Sequence, residues 1–148
     1  MADILEREVE PMTKEWLKRV NLIPELTDIP LSDLDRTAHL AKLYSDLVSR
    51  LRLAKDVPSP ISAAAAAHGQ IRRAQGYSAS MVVEESRVFQ VATFSTLHLH
   101  QNELNQSQVL SDVTVIADEV DAQLMETVRS LMAAANRVVP TAAKQPAP

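Results

Sequence analysis

Apolar residues recur at helical spacing along most of the chain. One such stripe predicts a helix over about 33–55, and its members are Leu40, Leu43, Leu47 and Leu51. A longer stripe predicts a last helix over about 107–136, and its members are Val113, Ile116, Val120, Leu124, Val128 and Leu131. Steps of three and four positions place each set on one helix face. The pattern therefore favours helices over strands.

Proline, serine and glycine divide the pattern into five predicted helices, over about 3–20, 33–55, 61–75, 79–103 and 107–136. Pro58 and Pro60 resist helical continuation, so they separate the second helix from the third. Ser32 and Ser78 stand where N-caps are expected, and Gly76 stands where a C-terminal cap is expected. Pro11 could divide the first helix.

Short connections between long amphipathic helices indicate a bundle with mostly antiparallel neighbours. We therefore expect a single all-α domain of about five helices over residues 1–136. The Pro/Ala-rich segment 137–148 is expected to be a disordered tail or a linker.

Composition narrows the classes of function. The 148 residues include no cysteine, so disulfides, thiolate metal sites and cysteine nucleophiles are excluded. The net charge of −4, without a basic block, argues against binding of nucleic acid. No apolar run approaches the roughly 20 residues that a membrane-spanning helix needs. We expect a soluble, cytoplasmic protein.

The segment HGQIRRAQGY, residues 68–77, differs from the surrounding scaffold because it contains both glycines of the chain. On a helix, His68, Arg72 and Gln75 share one face. They would form either a polar cluster that faces a cleft or partner, or a buried lock between two helices. Gly69 lacks a side chain and would let another helix approach closely.

The same segment resembles the signature H-G-x-x-R-x-x-Q-G-Y of the N-terminal domain of RsbT co-antagonist proteins, the RsbRD type. The following helix carries SASMVVEESRVFQ, in which Glu85 and Arg87 fit the family pattern. Ser86 and Gln90 stand where that pattern has an aromatic residue and an arginine. Further positions that fit are Trp16, Asp118 and Asp121. The resemblance covers about residues 10–135.

The resemblance implies a non-catalytic, all-α input domain for sensing or protein interaction. Such domains precede an output module, either a STAS domain of the stressosome or a histidine kinase core. We expect the chain to form a homodimer and to respond to a small-molecule signal. The apolar stripe of the last helix is the candidate dimer seam, and the alternative is that it fills the monomer's own core. The expected polar site consists of His68, Arg72, Gln75, Tyr77 and Glu85. Arg72 and Glu85 are expected to pair across neighbouring helices.

The main alternative is a histidine phosphotransfer bundle with His68 as phosphoacceptor, although no lysine follows His68 at three or four positions. A metal site of His98, His100 and Glu103 is disfavoured because the two histidines point about 200° apart on a helix. A haem with His39, His68 or His98 as axial ligand is disfavoured by the low aromatic content. We therefore expect no metal ion, no cofactor and no enzymatic activity.

Two further segments carry simple structural predictions. The alanine run at 63–67 is expected to make a close helix–helix contact. The polar face of the last helix is expected to be solvated, with a basic partner as a weaker alternative. That face carries Asp112, Asp118, Glu119 and Glu126.

Overall fold

The structure, a computed structural model, describes residues 1–135. Within this range every regular element is helical, so the predicted all-α class is confirmed. The predicted tail at 137–148 and the last residue of the predicted final helix lie outside the described residues. None of the helices within 1–135 has the length and apolar character needed to cross a bilayer.

Eight α-helices and one 3₁₀ turn, Gln101–Glu103, make up the described fold. Their bounds are α1 Ala2–Arg7, α2 Val9–Val20, α3 Pro24–Thr27, α4 Asp33–Thr37, α5 Leu40–Arg52, α6 Ala63–Ala74, α7 Ala79–Leu99 and α8 Val109–Ala135. Five of these have 12 or more residues, namely α2, α5, α6, α7 and α8. They correspond to the five predicted helices.

Some boundaries differ from the prediction. The first helix divides at Glu8 and not at Pro11, which lies in the first turn of α2, where its missing N–H costs no helical hydrogen bond. The predicted helix over 33–55 is two helices, α4 and α5, and the second ends at Arg52. Buried Arg36 holds α4 beside the preceding segment by donating to the carbonyl oxygens of Leu26 and Ile29.

Side-chain caps begin three of the helices. The hydroxyl of Ser32 accepts from the backbone N–H of Asp35 at 3.1 Å, and that of Ser78 accepts from Met81 at 3.3 Å. Both predicted N-caps are therefore confirmed. Ser62 caps α6 in the same way, with 2.9 Å to the N–H of Ala65.

Helices α6 and α8 pack with their backbones close together. Thr127 donates its hydroxyl to the carbonyl of Ala65 at 3.2 Å, and Ser130 donates to Ala66 at 2.7 Å. A Cβ atom added at Gly69 would collide with the carbonyl oxygen of Thr127. The close contact predicted for the alanine run and the role predicted for Gly69 are confirmed.

The core lies between the five long helices and includes much of the α8 stripe. Ile116, Val120 and Leu131 are at most 3% exposed within this single chain. These three side chains fill the monomer's own core, whereas the other members of the stripe, Val113, Leu124 and Val128, are half-buried. That the stripe forms a dimer seam stays a prediction. The prediction that Glu119 lies on the solvated face of the last helix is wrong, because its side chain is buried and only 2% exposed.

Candidate functional site

A buried ion pair joins α6 to α7. Nε of Arg72 donates to Oε2 of Glu85 at 2.9 Å, and the two residues are 0% and 2% exposed. The pairing predicted across neighbouring helices is confirmed. Low local polarity strengthens such an attraction but also makes the removal of both charges from water costly. Such a pair needs further hydrogen bonds to offset that cost.

The remaining N–H groups of Arg72 reach α4 and the end of its own helix. One terminal nitrogen donates to Oε1 of Gln75 at 2.7 Å, and the other donates to the carbonyl of Arg36 at 2.7 Å. The second nitrogen also lies 3.5 Å from Nδ1 of His39. A single guanidinium thus connects three helices and the segment before α5.

Gly76 brings Tyr77 against the arginine. Its φ of +87° ends α6, and the N–H groups of Gly76 and Tyr77 bond back to the carbonyls of Arg73 and Arg72. This is the Schellman arrangement, in which glycine takes the left-handed position. The Tyr77 ring then lies 4.7 Å from the Arg72 guanidinium carbon. Burial raises the pKa of Tyr77 to about 12, and its hydroxyl accepts from Arg36.

Two histidines stack beside the ion pair. The rings of His39 and His68 are 3.7 Å apart and inclined by 12°, and Nε2 of His68 lies 3.3 Å from Oε2 of Glu85. Burial lowers the pKa of His68, and it lowers the pKa of His39 well below its usual value, where His68 and Arg72 act in the same direction. Both rings are therefore neutral near pH 7.

The only tryptophan of the chain closes the cluster. The ring of Trp16 meets that of His39 edge-on, with centroids 5.7 Å apart. Its indole N–H donates to the backbone carbonyl of Glu85 at 3.2 Å. Trp16 is fully buried. Its fluorescence should therefore respond to any change in the packing of the cluster.

A small cavity of about 30 Å³ lies between the polar cluster and the core. His39, His68 and Glu85 form part of its wall, and Leu43, Phe89 and other side chains of α5, α7 and α8 complete it. The volume suffices for a water molecule or a single ion, and it is far too small for a haem. Nδ1 of His68 and Oε1 of Glu85 are buried and have no hydrogen-bond partner among the described residues.

The structure brings all five predicted site residues together. His39, Arg36 and Trp16 also belong to the cluster but were not predicted with it, because 29 to 69 positions separate them from the members that they contact. No local spacing carries that signal. His98 is exposed, and His100 bonds to Glu103 at 2.7 Å on the far surface, so neither belongs to the site.

Comparisons of the chain with family models, with curated proteins and with solved structures gave no match.

Proposed function

We propose that this chain is a non-catalytic input domain of bacterial stress or two-component signalling, which senses a signal or binds a signalling protein. One observation carries the proposal. A buried arginine–glutamate pair ties several helices together, yet Oε1 of Glu85 and Nδ1 of the adjacent His68 are unpartnered among the described residues, and both side chains line a small cavity. An apolar cluster would stabilise a bundle at least as well. A polar cluster with unpaired hydrogen-bonding atoms therefore suits a domain that changes its packing.

The resemblance to RsbT co-antagonist N-terminal domains supports the proposal. Five of the residues that carry the resemblance form the cluster, namely His68, Arg72, Gln75, Tyr77 and Glu85. Three others, Arg87, Asp118 and Asp121, are exposed outside it. In the proposed mechanism, a ligand or partner binds one packing of the bundle more tightly than another and shifts the population toward it. A STAS-type or kinase-type output protein would detect that change, and the chain would act in the cytoplasm as a homodimer.

Phosphotransfer from His68 receives no support from the geometry. The ring is 5% exposed and is covered by His39 on one side and Glu85 at its Nε2. A phosphoacceptor must be reached by a phosphorylated partner, so the bundle would have to open first. The input-domain proposal needs no such opening.

Native mass spectrometry of the purified chain tests the proposal, with the denatured mass as reference. We expect a dimer, with or without a bound small molecule, and we expect Arg72→Ala to change the dimer fraction or the bound mass. The matched control is Arg73→Ala, because Arg73 is exposed on the same helix. A bare monomer whose state is the same in wild type and in both variants would contradict the proposal.

A further inference from the structure

Three side chains in the cluster present metal-ligating atoms to one another. His39 precedes α5, His68 lies in α6 and Glu85 lies in α7. Each offers one nitrogen or oxygen atom, and the three atoms lie within 4.8 Å of one another. Within residues 1–135 no other set of three histidine, aspartate or glutamate side chains meets this criterion. Two imidazoles and one carboxylate are a common donor set for zinc and its neighbours in the first transition row.

A second, independent observation points to an occupant. Oε1 of Glu85 is a buried acceptor without a partner among the described residues, and the Glu85 side chain lines the 30 Å³ cavity. Leaving such a group unsatisfied is unfavourable. The cavity has room for one ion, and the missing element is an electron-pair acceptor or a hydrogen-bond donor.

We propose that His39, His68 and Glu85 bind a divalent transition-metal ion of the zinc class. This proposal rests on the proposed function in one respect: the ion is the signal that the input domain senses.

Arg72 fits the site as an outer partner of the carboxylate. It occupies Oε2 of Glu85 and leaves Oε1 open. Ligating carboxylates are commonly held by such hydrogen bonds, which orient them toward the metal. The positive charge of Arg72 also opposes the ion, so the site suits reversible binding of a signal better than permanent retention of a structural ion.

The stacked rings make metal binding a conformational event. A metal lies in the plane of each imidazole that ligates it, because the nitrogen lone pair lies in that plane. Two nearly parallel rings 3.7 Å apart do not share such a point, so one ring must rotate. We infer that His39 is the ring that rotates, because its polar contact with Arg72 is 3.5 Å long, whereas Nε2 of His68 lies 3.3 Å from Glu85. Its rotation would alter the edge contact with Trp16.

Titration of the metal-free chain with CoCl₂ and ZnCl₂, followed by Trp16 fluorescence and by calorimetry, tests the site. We expect one equivalent to bind and Co²⁺ to quench Trp16, because the ion would sit beside the indole. His39→Ala and His39→Gln should weaken binding at least about tenfold. Circular dichroism of both variants verifies that they fold.

The matched control is His100→Ala, which removes the surface histidine beside Glu8 and Glu103. That variant should bind as the wild type does. Absence of one-equivalent binding, or binding that survives in the His39 variants and is lost in His100→Ala, would overturn the metal site. Neither result would decide whether the chain is an input domain, because native mass spectrometry tests that proposal separately. Binding at His39 without any change in dimer fraction would instead keep the metal site and overturn its role as the signal.

Discussion

Arg72 donates to Glu85 at 2.9 Å inside the bundle, where both side chains are buried. Around this pair the chain assembles residues from α2, α4, α6 and α7, so the pair is the point at which these helices are tied together. A charge pair in that position has large consequences when one member is removed, since the other stays buried and uncompensated.

Arg72→Ala is therefore expected to destabilise the fold by about 3–5 kcal/mol. The measurement is urea denaturation followed by circular dichroism. The control is Arg87→Ala, which removes an exposed ion pair with Glu84 on α7 and should cost at most about 1 kcal/mol. Equal losses in the two variants would show that the buried pair does not hold the helices together.

Gly69→Ala tests the close contact of α6 with α8. Helix propensity alone predicts a gain of about 0.5–1 kcal/mol from this change. The new Cβ atom would collide with the backbone oxygen of Thr127 and lie 3.0 Å from the nitrogen of Leu131, and backbone atoms do not yield as side chains do. We expect a net loss of about 1–3 kcal/mol, measured by urea denaturation. Gln70→Ala, at an exposed neighbouring position, should be close to neutral, and a stabilised Gly69→Ala would contradict the packing.

The lowered pKa values of the two stacked histidines predict that the folded protein becomes less stable in mild acid. Because the pKa values of His39 and His68 are lowered in the folded chain, the unfolded chain binds protons first as pH falls below about 6.5. Their contribution is thus fully present above that pH and is lost as pH falls through the folded-state pKa values. Arg72 and Glu85 are the charged groups that face the two rings.

Unfolding free energies of the metal-free chain between pH 7.5 and 5 measure this effect. His39→Gln should reduce the slope of stability against pH in that window, while His98→Gln, at an exposed position, should leave it unchanged. A wild-type stability that is flat from pH 7 to 5 would show that the two rings accept protons as readily in the folded chain as in the unfolded one.

Glu119→Gln is expected to stabilise the protein at neutral pH. Burial raises the pKa of Glu119, Asp46 acts in the same direction, and Oε2 of Glu119 has no partner among the described residues. A raised carboxyl pKa means that the folded chain loses stability as pH rises above the unfolded-state value of about 4.3. The advantage of the glutamine variant should therefore shrink as pH falls toward 4.

The control for this prediction is Glu126→Gln on the same helix. Glu126 pairs with Arg129 at 2.7 Å near the surface, so its replacement should give no gain at pH 7. Thermal unfolding at pH 7.5 and 4.5 distinguishes the two variants. A Glu119→Gln protein that is less stable than wild type at pH 7.5 would show that the carboxylate is stabilised by its surroundings.

Local features were predictable because their causes are local. Ser32 and Ser78 cap helices through bonds to residues three positions away, and Gly76 provides the left-handed residue that ends α6. The shared face of His68, Arg72 and Gln75 follows from helical spacing alone. The pairing of Arg72 with Glu85 was expected from the resemblance to RsbT co-antagonist N-terminal domains, which placed both residues in one site.

The sequence by itself determined the helical class, the caps and the polar character of residues 68–77, since each depends on neighbours within one or two turns. Only the tertiary structure decided that His39 stacks on His68, that Arg36 enters the cluster, and that Glu119 and half of the α8 stripe are buried in the same chain. The physical reason is that an amphipathic pattern shows which face of a helix is apolar but does not specify which element packs against that face. That choice follows from the packing of distant helices, here from the close approach of α8 to Gly69.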